Sequence, residues 1–293
     1  MAISQSSAQS PVVAESFAAV HAAVADAHNR GLRVGFVPTM GALHAGHVSL
    51  MEEARRECEY VVVSIFVNPT QFGPNEDFKQ YPRTMEEDLR LCQGAGVALV
   101  FHPTPELMYP KSPPFRTFVE VEGLSEMLEG KVRPGHFRGV TTVVLKLFEI
   151  VGADAAYFGQ KDYQQQTIIR QMVRDLNLPT EIRVCPTVRE HDGLAMSSRN
   201  IYLQGEERQS ALALSRSLEL ARGLLKQGES DLDRVRQQML DLLATTPLVK
   251  PDYASLADPD TLQELATIQP RMVALVAARV GRTRLIDNTV IEL

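Results

Sequence analysis

Few cysteines and no long apolar run limit what this chain can be. Its three cysteines, Cys58, Cys92 and Cys185, are odd in number and far apart, so they resemble neither a disulfide framework nor a zinc ribbon. We therefore expect reduced thiols in a cytoplasmic protein. No apolar segment approaches the length of a membrane span, and residues 1–7 lack the basic start and apolar core of a signal peptide.

Long runs of lysine and arginine are also absent. The chain has 30 Lys+Arg against 36 Asp+Glu, a formal net charge of -6, which argues against nonspecific nucleic-acid binding. There is no Gly-x-Ser-x-Gly elbow to indicate a hydrolase, and no Cys-x-x-Cys or His-Glu-x-x-His framework to indicate zinc. Small anionic molecules are therefore better candidate partners than nucleic acid or membrane.

The most informative stretch is residues 37–47, which contain His-x-Gly-His between a short apolar run and an amphipathic helical pattern. A strand followed by a helix N-terminus exposes backbone N–H groups and the positive end of the helix dipole, which suit phosphate oxygens. Gly41 and Gly46 allow a ligand close to the backbone, and His44 and His47 would share one helix face. A plain glycine turn with two surface histidines is the competing interpretation.

Apolar runs alternate with helical patterns through the first two thirds of the chain. This alternation predicts an α/β fold with a doubly wound parallel sheet covered by helices on both faces. The predicted strands are 32–37, 59–67, 97–101, 155–158 and 181–185, and the predicted helices include 15–29, 124–128, 140–151 and 163–176. A loop is expected at 133–139.

After Pro186 the pattern changes to two long helices followed by strands typical of a small antiparallel sheet. The helices are expected near 206–227 and 231–242, and the strands at 251–256, 271–280 and 283–286. We therefore predict two domains, residues 1–188 and a smaller α+β domain of residues 189–293.

Polar clusters follow the predicted strands at their carboxyl ends. Lys161 is a compact cation suited to phosphate oxygens, although with Asp162 it equally fits a surface ion pair. Ser197, Ser198 and Arg199 offer two hydroxyls and a guanidinium for a triphosphate, although they also fit an ordinary turn.

Uncharged amides and one acidic turn complete the candidates. Asn68, Gln71 and Gln165 could orient a hydroxylated or carboxylate substrate without competing as nucleophiles. Asp88 is a candidate magnesium ligand, although beside Glu86 and Glu87 it more often marks a negatively charged helix start.

Seven motifs occur in order and together resemble the pantothenate synthetase family. They are Met40–His47, Ser64–Phe72, Tyr81–Thr84, Arg133–Val140, Phe158–Gln165, Met196–Asn200 and Arg284–Asn288. The histidine motif and the serine–arginine motif also resemble the two signature loops of the nucleotidyltransferase group that includes class I aminoacyl-tRNA synthetases.

The resemblance implies ATP-dependent condensation of pantoate with β-alanine through a pantoyl adenylate, releasing AMP and pyrophosphate. It also implies a Rossmann-like first domain, a smaller C-terminal lid, Mg²⁺ on the triphosphate, and a homodimer.

The resemblance further assigns roles by motif position. His47 would be the general acid, with His44, Lys161, Ser197, Ser198 and Arg199 as the other catalytic groups. Pantoate would contact Gln71 and Gln165, and β-alanine would contact Gln71 and Asn68. ATP would contact Met40, Gly41, Ala42, Leu43, His44, Ala45, Gly46, His47, Gly159, Gln160, Lys161, Asp162, Val188, Met196, Ser197, Ser198 and Arg199.

Two other functions are compatible with the same scaffold. One is a nucleotidyltransferase that transfers AMP or CMP to a phosphorylated substrate and stops there. The other is a nucleotide-sensing or RNA-binding relative without catalysis, which the two histidines, Lys161 and the acidic balance of charge argue against.

Overall fold

The computed structural model describes residues 10–74 and 76–293. The expectation about residues 1–7 lies outside this described part. Within it the chain forms two units, one running to Gly159 and including Ile168–Cys185, the other formed by Gln160–Thr167 and Pro186–Leu293. As a statement about domains, the boundary at residue 188 stays a prediction.

The first unit contains a parallel sheet of six strands. Its strands are β1 Val12–Ala14, β2 Val34–Thr39, β3 Tyr60–Ile65, β4 Leu99–Phe101, β5 Ala155–Gly159 and β6 Glu181–Cys185. They lie in the order β1-β4-β3-β2-β5-β6 with parallel pairing throughout. The five predicted strands are confirmed. Strand β1 was not predicted, because its three residues are too few to show a strand pattern; Val12 and Val13 are exposed at the edge of the sheet.

The central strands are buried on both faces, which explains their continuous apolar sequences. In β3, Val62 packs into the cluster that contains Phe36, whereas Val61 and Val63 pack into the cluster that contains Val37. Successive side chains of a strand point to opposite faces, so each face of the sheet has its own core.

Nine helices occur in the described residues. They are α1 Phe17–Asn29, α2 Ala45–Glu57, α3 Met85–Gly94, α4 Pro105–Met108, α5 Glu129–Val132, α6 His136–Val151, α7 Tyr163–Asp175, α8 Gly205–Lys226 and α9 Leu232–Thr245. The sheet order reverses between β2 and β5, and in doubly wound sheets ligands bind outside the carboxyl ends of the strands at such a point.

One predicted helix and one predicted boundary near α6 are wrong. Residues 124–128 form turns instead of a helix, and Leu128 has a positive φ of 47°. The chain folds back so tightly there that a Cβ on Gly130 would lie 1.9 Å from the Ser125 carbonyl oxygen. Helix α6 begins at His136, so the last four residues of the predicted loop at 133–139 are helical.

The second unit contains three antiparallel strands, β7 Val249–Ala257, β8 Arg271–Val280 and β9 Thr283–Glu292, in that order. Helices α8 and α9 pack their apolar faces on this sheet, with Leu214 and Met239 fully buried. The predicted fold class, a Rossmann-like parallel sheet with a smaller α+β part, is confirmed. Among the described residues, no helix combines the length and apolar composition that crossing a bilayer requires.

Candidate functional site

The two histidines lie where β2 gives way to α2, as predicted. His44 is the N-cap of α2, and its Nδ1 accepts a hydrogen bond from the Gly46 N–H at 3.1 Å. The Nδ1 of His47 accepts from the His44 N–H at 3.4 Å, and the two ring centroids are 4.1 Å apart. Because Nδ1 is the acceptor in both rings, the proton of each neutral imidazole sits on Nε2. Both Nε2–H groups are therefore donors at a helix N-terminus, where anions are stabilised.

A buried carboxylate holds the loop that leads to these histidines. Asp88 is only 1% exposed, and its Oδ2 accepts from the Ala42 N–H at 3.0 Å. Its Oδ1 accepts from the Leu43 N–H at 2.8 Å and from the Thr84 hydroxyl at 3.1 Å. Gly41 and Ala42 both have positive φ, 79° and 51°, so the loop conformation is one that needs such support.

These contacts bear on the prediction that Asp88 is a magnesium ligand. A carboxylate has about four lone-pair positions, and three of those on Asp88 already accept hydrogen bonds from the protein. In the described residues, no group of three or more His, Cys, Asp or Glu side chains could hold a metal ion. Asp88 therefore fits a loop-holding role better than a metal-binding role, and its magnesium assignment stays a prediction.

Asn68 and Gln71 are buried side by side at a 3₁₀ turn that follows β3. The Asn68 Nδ2 donates to Gln71 Oε1 at 3.0 Å and to the Gly139 carbonyl oxygen at 3.1 Å. The Nε2 of Gln71 donates toward the Met40 sulfur at 3.1 Å, so the structure brings Gln71 and the histidine loop together. The orientation of the Gln71 amide is thus set, with its oxygen on Asn68 and its N–H₂ on the side of Met40.

Sequence reasoning missed Tyr109, which holds Asn68 in place. The Tyr109 hydroxyl donates to Asn68 Oδ1 at 2.8 Å, and burial raises the pKa of this tyrosine, which keeps the hydroxyl protonated as a donor. The only sequence signal for Tyr109 is an aromatic residue within a proline-rich surface segment.

Side chains of the Arg133–Val140 motif meet the backbone of Gln71. The His136 Nδ1 lies 2.7 Å from the Gln71 carbonyl oxygen, and its Nε2 lies 3.1 Å from an Arg133 nitrogen. Arg133 forms a two-pronged ion pair with Glu76, with both N–O distances at 2.7 Å. Burial, followed by the charge of Arg133, lowers the pKa of His136 to about 4. His136 is therefore neutral at pH 7.

In the second unit, Lys161 lies on a short 3₁₀ turn before α7 that is fastened to β9. The Asn288 Nδ2 donates to the carbonyl oxygens of Gln160 at 3.0 Å and Lys161 at 2.7 Å. The Nζ of Lys161 lies 3.7 Å from Asp162 Oδ1, and Gln165 is half-buried in the first turn of α7. Asn288 belongs to the last quoted motif, but no pattern in the sequence indicates this contact.

The serine–arginine loop lies in the same unit and is linked to that turn. The Ser197 hydroxyl caps the 3₁₀ turn by accepting from the Arg199 N–H at 3.2 Å, and the Met196 N–H donates to the Val188 carbonyl oxygen at 3.0 Å. Next to Val188, Arg189 pairs with buried Asp287 through N–O distances of 2.6 and 3.0 Å. Asp287 precedes Asn288, so one hydrogen-bonded chain connects the lysine turn with the serine–arginine loop.

The predicted site residues therefore form two groups, one in each unit. The first unit brings together the histidine loop, Asn68, Gln71 and Asp88, and Gly159 ends β5 in that unit. The second unit holds the rest, which are Gln160, Lys161, Asp162, Gln165, Val188, Met196, Ser197, Ser198 and Arg199.

Comparison with known proteins gives one consistent family. The model of the family described as pantoate-beta-alanine ligase matches residues 12–290. The pantothenate synthetase of Moorella thermoacetica is 56% identical over 278 residues, covering 95% of this chain and 98% of that protein. The pantothenate synthetase of Thermus thermophilus superposes with a TM-score of 0.89 at 47% identity, covering 95% of this chain and 98% of that one.

A second solved relative contains ligands. It is the pantoate-beta-alanine ligase of Francisella tularensis, whose structure is described as a complex with beta-gamma ATP and β-alanine. It is 35% identical to this chain with a TM-score of 0.76, and the match covers 95% of this chain and 97% of that one.

Replacing Asp88 with asparagine tests the loop-holding role. In the Asp88→Asn variant an amide N–H₂ faces a backbone donor, so we expect the free energy of unfolding to fall by about 1–3 kcal/mol. Amide hydrogen exchange of Ala42 and Leu43 should accelerate. The control is Glu86→Gln, an exposed carboxylate in the same helical turn, which should stay within about 0.5 kcal/mol of the wild type. Equal behaviour of the two variants in urea unfolding and exchange would rule the role out.

The lowered pKa of His136 predicts a pH dependence of stability. The unfolded chain binds a proton near pH 6.5 that folded His136 binds only near pH 4. The unfolded state therefore takes up more protons across this window, and stability must fall as the pH drops from 6.5 to 4. Urea unfolding should show a larger loss of stability over this window in the wild type than in His136→Asn, because only the wild type has the contribution of His136. Parallel pH curves for the two proteins would contradict the shift.

Proposed function

This chain belongs to the pantoate-beta-alanine ligase family, and we propose that it forms pantothenate by first activating pantoate as an adenylate. It is an enzyme, a ligase of pantothenate biosynthesis. The proposal adds the route, in which ATP is converted to AMP and pyrophosphate and β-alanine then takes the acyl group.

The observation that carries the proposal is the histidine loop of the first unit. Two imidazoles, 4.1 Å apart, present Nε2–H donors at the N-terminus of α2, next to the point where the sheet order reverses. Donors fixed before the reaction stabilise the negative charge that grows on a leaving phosphate without reorganising during it. A pyrophosphate leaving group fits this arrangement.

In the first step, a carboxylate oxygen of pantoate attacks the α-phosphorus of ATP. The bond from that phosphorus to the bridging oxygen of the β-phosphate breaks, and pyrophosphate leaves with the electron pair. We assign His47 to this oxygen, where its Nε2–H donates in the general-acid role that the family resemblance implies, and His44 to the neighbouring phosphate charge. Phosphoryl transfer needs little covalent help from protein, so positioning and charge stabilisation account for most of the catalysis.

In the second step, the amine of β-alanine attacks the acyl carbon of the adenylate. The acyl–oxygen bond breaks, AMP leaves, and the amine loses a proton as the amide forms. We assign Gln71 and Gln165 to pantoate, and Asn68 with Gln71 to β-alanine. The support in this chain is the fixed Gln71 amide, whose N–H₂ is directed away from Asn68 and can donate to a substrate oxygen. The Francisella ligase, which was solved with β-alanine, also supports this substrate.

The ATP contacts proposed for this chain follow the family resemblance. They are Met40 to His47, Gly159, Gln160 to Asp162, Val188 and Met196 to Arg199. Lys161, Ser197, Ser198 and Arg199 would balance triphosphate charge. Bound Mg²⁺ would neutralise further phosphate charge, and we propose that it arrives with ATP. We also propose a homodimer, on the strength of the family resemblance, and a cytoplasmic location, on the strength of the three unpaired cysteines.

The function is tested by following all products with purified protein. With ATP, pantoate and β-alanine, we expect one AMP and one pyrophosphate for each amide formed. Without β-alanine, exchange of labelled pyrophosphate into ATP should depend on pantoate. Absence of amide in the complete mixture would reject the ligase, and would leave a nucleotidyltransferase of the same architecture as the better assignment.

Two alanine variants test the assigned phosphate-handling groups. His47→Ala and Lys161→Ala should leave the fold intact and lower the pyrophosphate exchange rate by roughly 10²–10³-fold, because each removes one preorganised donor. Matched controls are His21→Ala and Lys226→Ala, which change exposed residues of the same type on α1 and α8. A near-normal exchange rate in His47→Ala or Lys161→Ala would show that the role is misassigned.

A further inference from the structure

The Arg133–Val140 motif has no part in the mechanism above. Its side chains nevertheless form a series of contacts that reaches Gln71, which we assigned to pantoate. The contact order is Glu76 to Arg133, Arg133 to His136, and His136 to the carbonyl oxygen of Gln71. We call these three side chains the Glu76–Arg133–His136 chain.

The polarity of this chain is determined at each link. A guanidinium has donors only, so the His136 Nε2 that faces Arg133 must be an acceptor. The imidazole proton therefore sits on Nδ1, where it donates to the Gln71 carbonyl oxygen. Glu76 accepts both remaining Arg133 contacts and keeps the guanidinium aimed at the ring. With the opposite tautomer of His136, the bond to Gln71 would be lost.

Helix α6, which begins with His136, also supports the Gln71 side chain. Gly139 lies one turn after His136 in α6, and its carbonyl oxygen accepts from the Asn68 amide that in turn donates to Gln71 Oε1. A Cβ on Gly139 would lie 2.4 Å from the Thr70 carbonyl oxygen and 2.7 Å from the Gln71 Cα. Only glycine lets α6 approach the 3₁₀ turn this closely. One helix thus fixes both the main chain and the amide of Gln71.

We propose that the Glu76–Arg133–His136 chain is a positioning device that aims Gln71 at the hydroxy-acid substrate. It acts through Gln71 and touches no reacting atom itself. The inference rests on the proposed function, since it takes Gln71 as a pantoate-binding residue. Losing a single positioning hydrogen bond of this kind corresponds to a change of about 2–10-fold in an equilibrium constant.

The test compares two substitutions of His136, each of which preserves one of its two hydrogen bonds. The amide of His136→Asn reaches the Nδ1 position and restores a donor to the Gln71 carbonyl oxygen. The amide of His136→Gln reaches the Nε2 position and restores only the acceptor for Arg133. We expect KM for pantoate to rise about 10-fold in His136→Gln and at most about twofold in His136→Asn, with KM for ATP within about twofold in both.

Glu76→Gln gives a second test that leaves His136 and Gln71 intact. It weakens the ion pair with Arg133, and KM for pantoate should rise several-fold although Glu76 lies three links from Gln71. His28→Ala is the control, because His28 pairs with Asp154. Asp154 directly precedes β5, at the end of the strand opposite to Gly159. Thermal unfolding of every variant checks that the proteins compared are folded.

The outcomes separate the proposed function from the positioning role. If the wild-type protein forms no amide, the proposed function fails. If the wild type is active but His136→Gln and Glu76→Gln keep a normal KM for pantoate, the positioning role is overturned. Equal KM increases in His136→Asn and His136→Gln, or an equal rise in KM for ATP, would also overturn it. A larger increase in KM for pantoate in His136→Gln than in His136→Asn, with KM for ATP unchanged, supports the positioning role.

Discussion

The bonds from Asp88 to the loop before α2 are the interaction on which the histidine site depends. A non-glycine residue in the left-handed region costs ~1–2 kcal/mol, and the loop places Ala42 there directly after Gly41. Each hydrogen bond to a charged acceptor contributes about 1.5–3 kcal/mol, so the two from Ala42 and Leu43 outweigh that cost. The loop can then deliver His44 as the N-cap of α2, and the capping contact orients both rings.

One way of fixing side-chain polarity recurs among the candidate residues of the first unit. An imidazole nitrogen or an amide can be either a donor or an acceptor of a hydrogen bond. Here the tautomer of each imidazole and the orientation of the Gln71 amide are fixed by a neighbouring donor. Backbone N–H groups set His44 and His47, the donor-only guanidinium of Arg133 sets His136, and the Asn68 amide sets Gln71. Groups set in this way need no reorientation during a reaction, which is the condition for electrostatic preorganisation.

The parts of the fold that follow from local pattern were predicted, and those that depend on tertiary contacts were not. Strands β2 to β4 are apolar because they are buried on both faces, so their sequences identify them. The start of α6 at His136 was missed, since the preceding Arg-Pro-Gly is typical of a loop and the helical turn is held by contacts with the Gln71 segment. The positions of His44, Lys161 and Ser197 followed from motifs. The contacts of Asp88, Tyr109 and Asn288 could not be predicted from the sequence. A carboxylate in the first turn of a helix, an aromatic residue or an asparagine has a role that depends on its partners in the fold.

The central claim is that pantoate is activated by forming a bond from its own carboxylate oxygen to the α-phosphorus of ATP. Pantoate labelled with oxygen-18 in its carboxylate tests this directly by mass spectrometry of the AMP produced in the complete reaction. The account predicts that each AMP carries one labelled oxygen in its phosphate, with the other label retained in the pantothenate amide. Unlabelled AMP, with the expelled label found in inorganic pyrophosphate or in water, would contradict it.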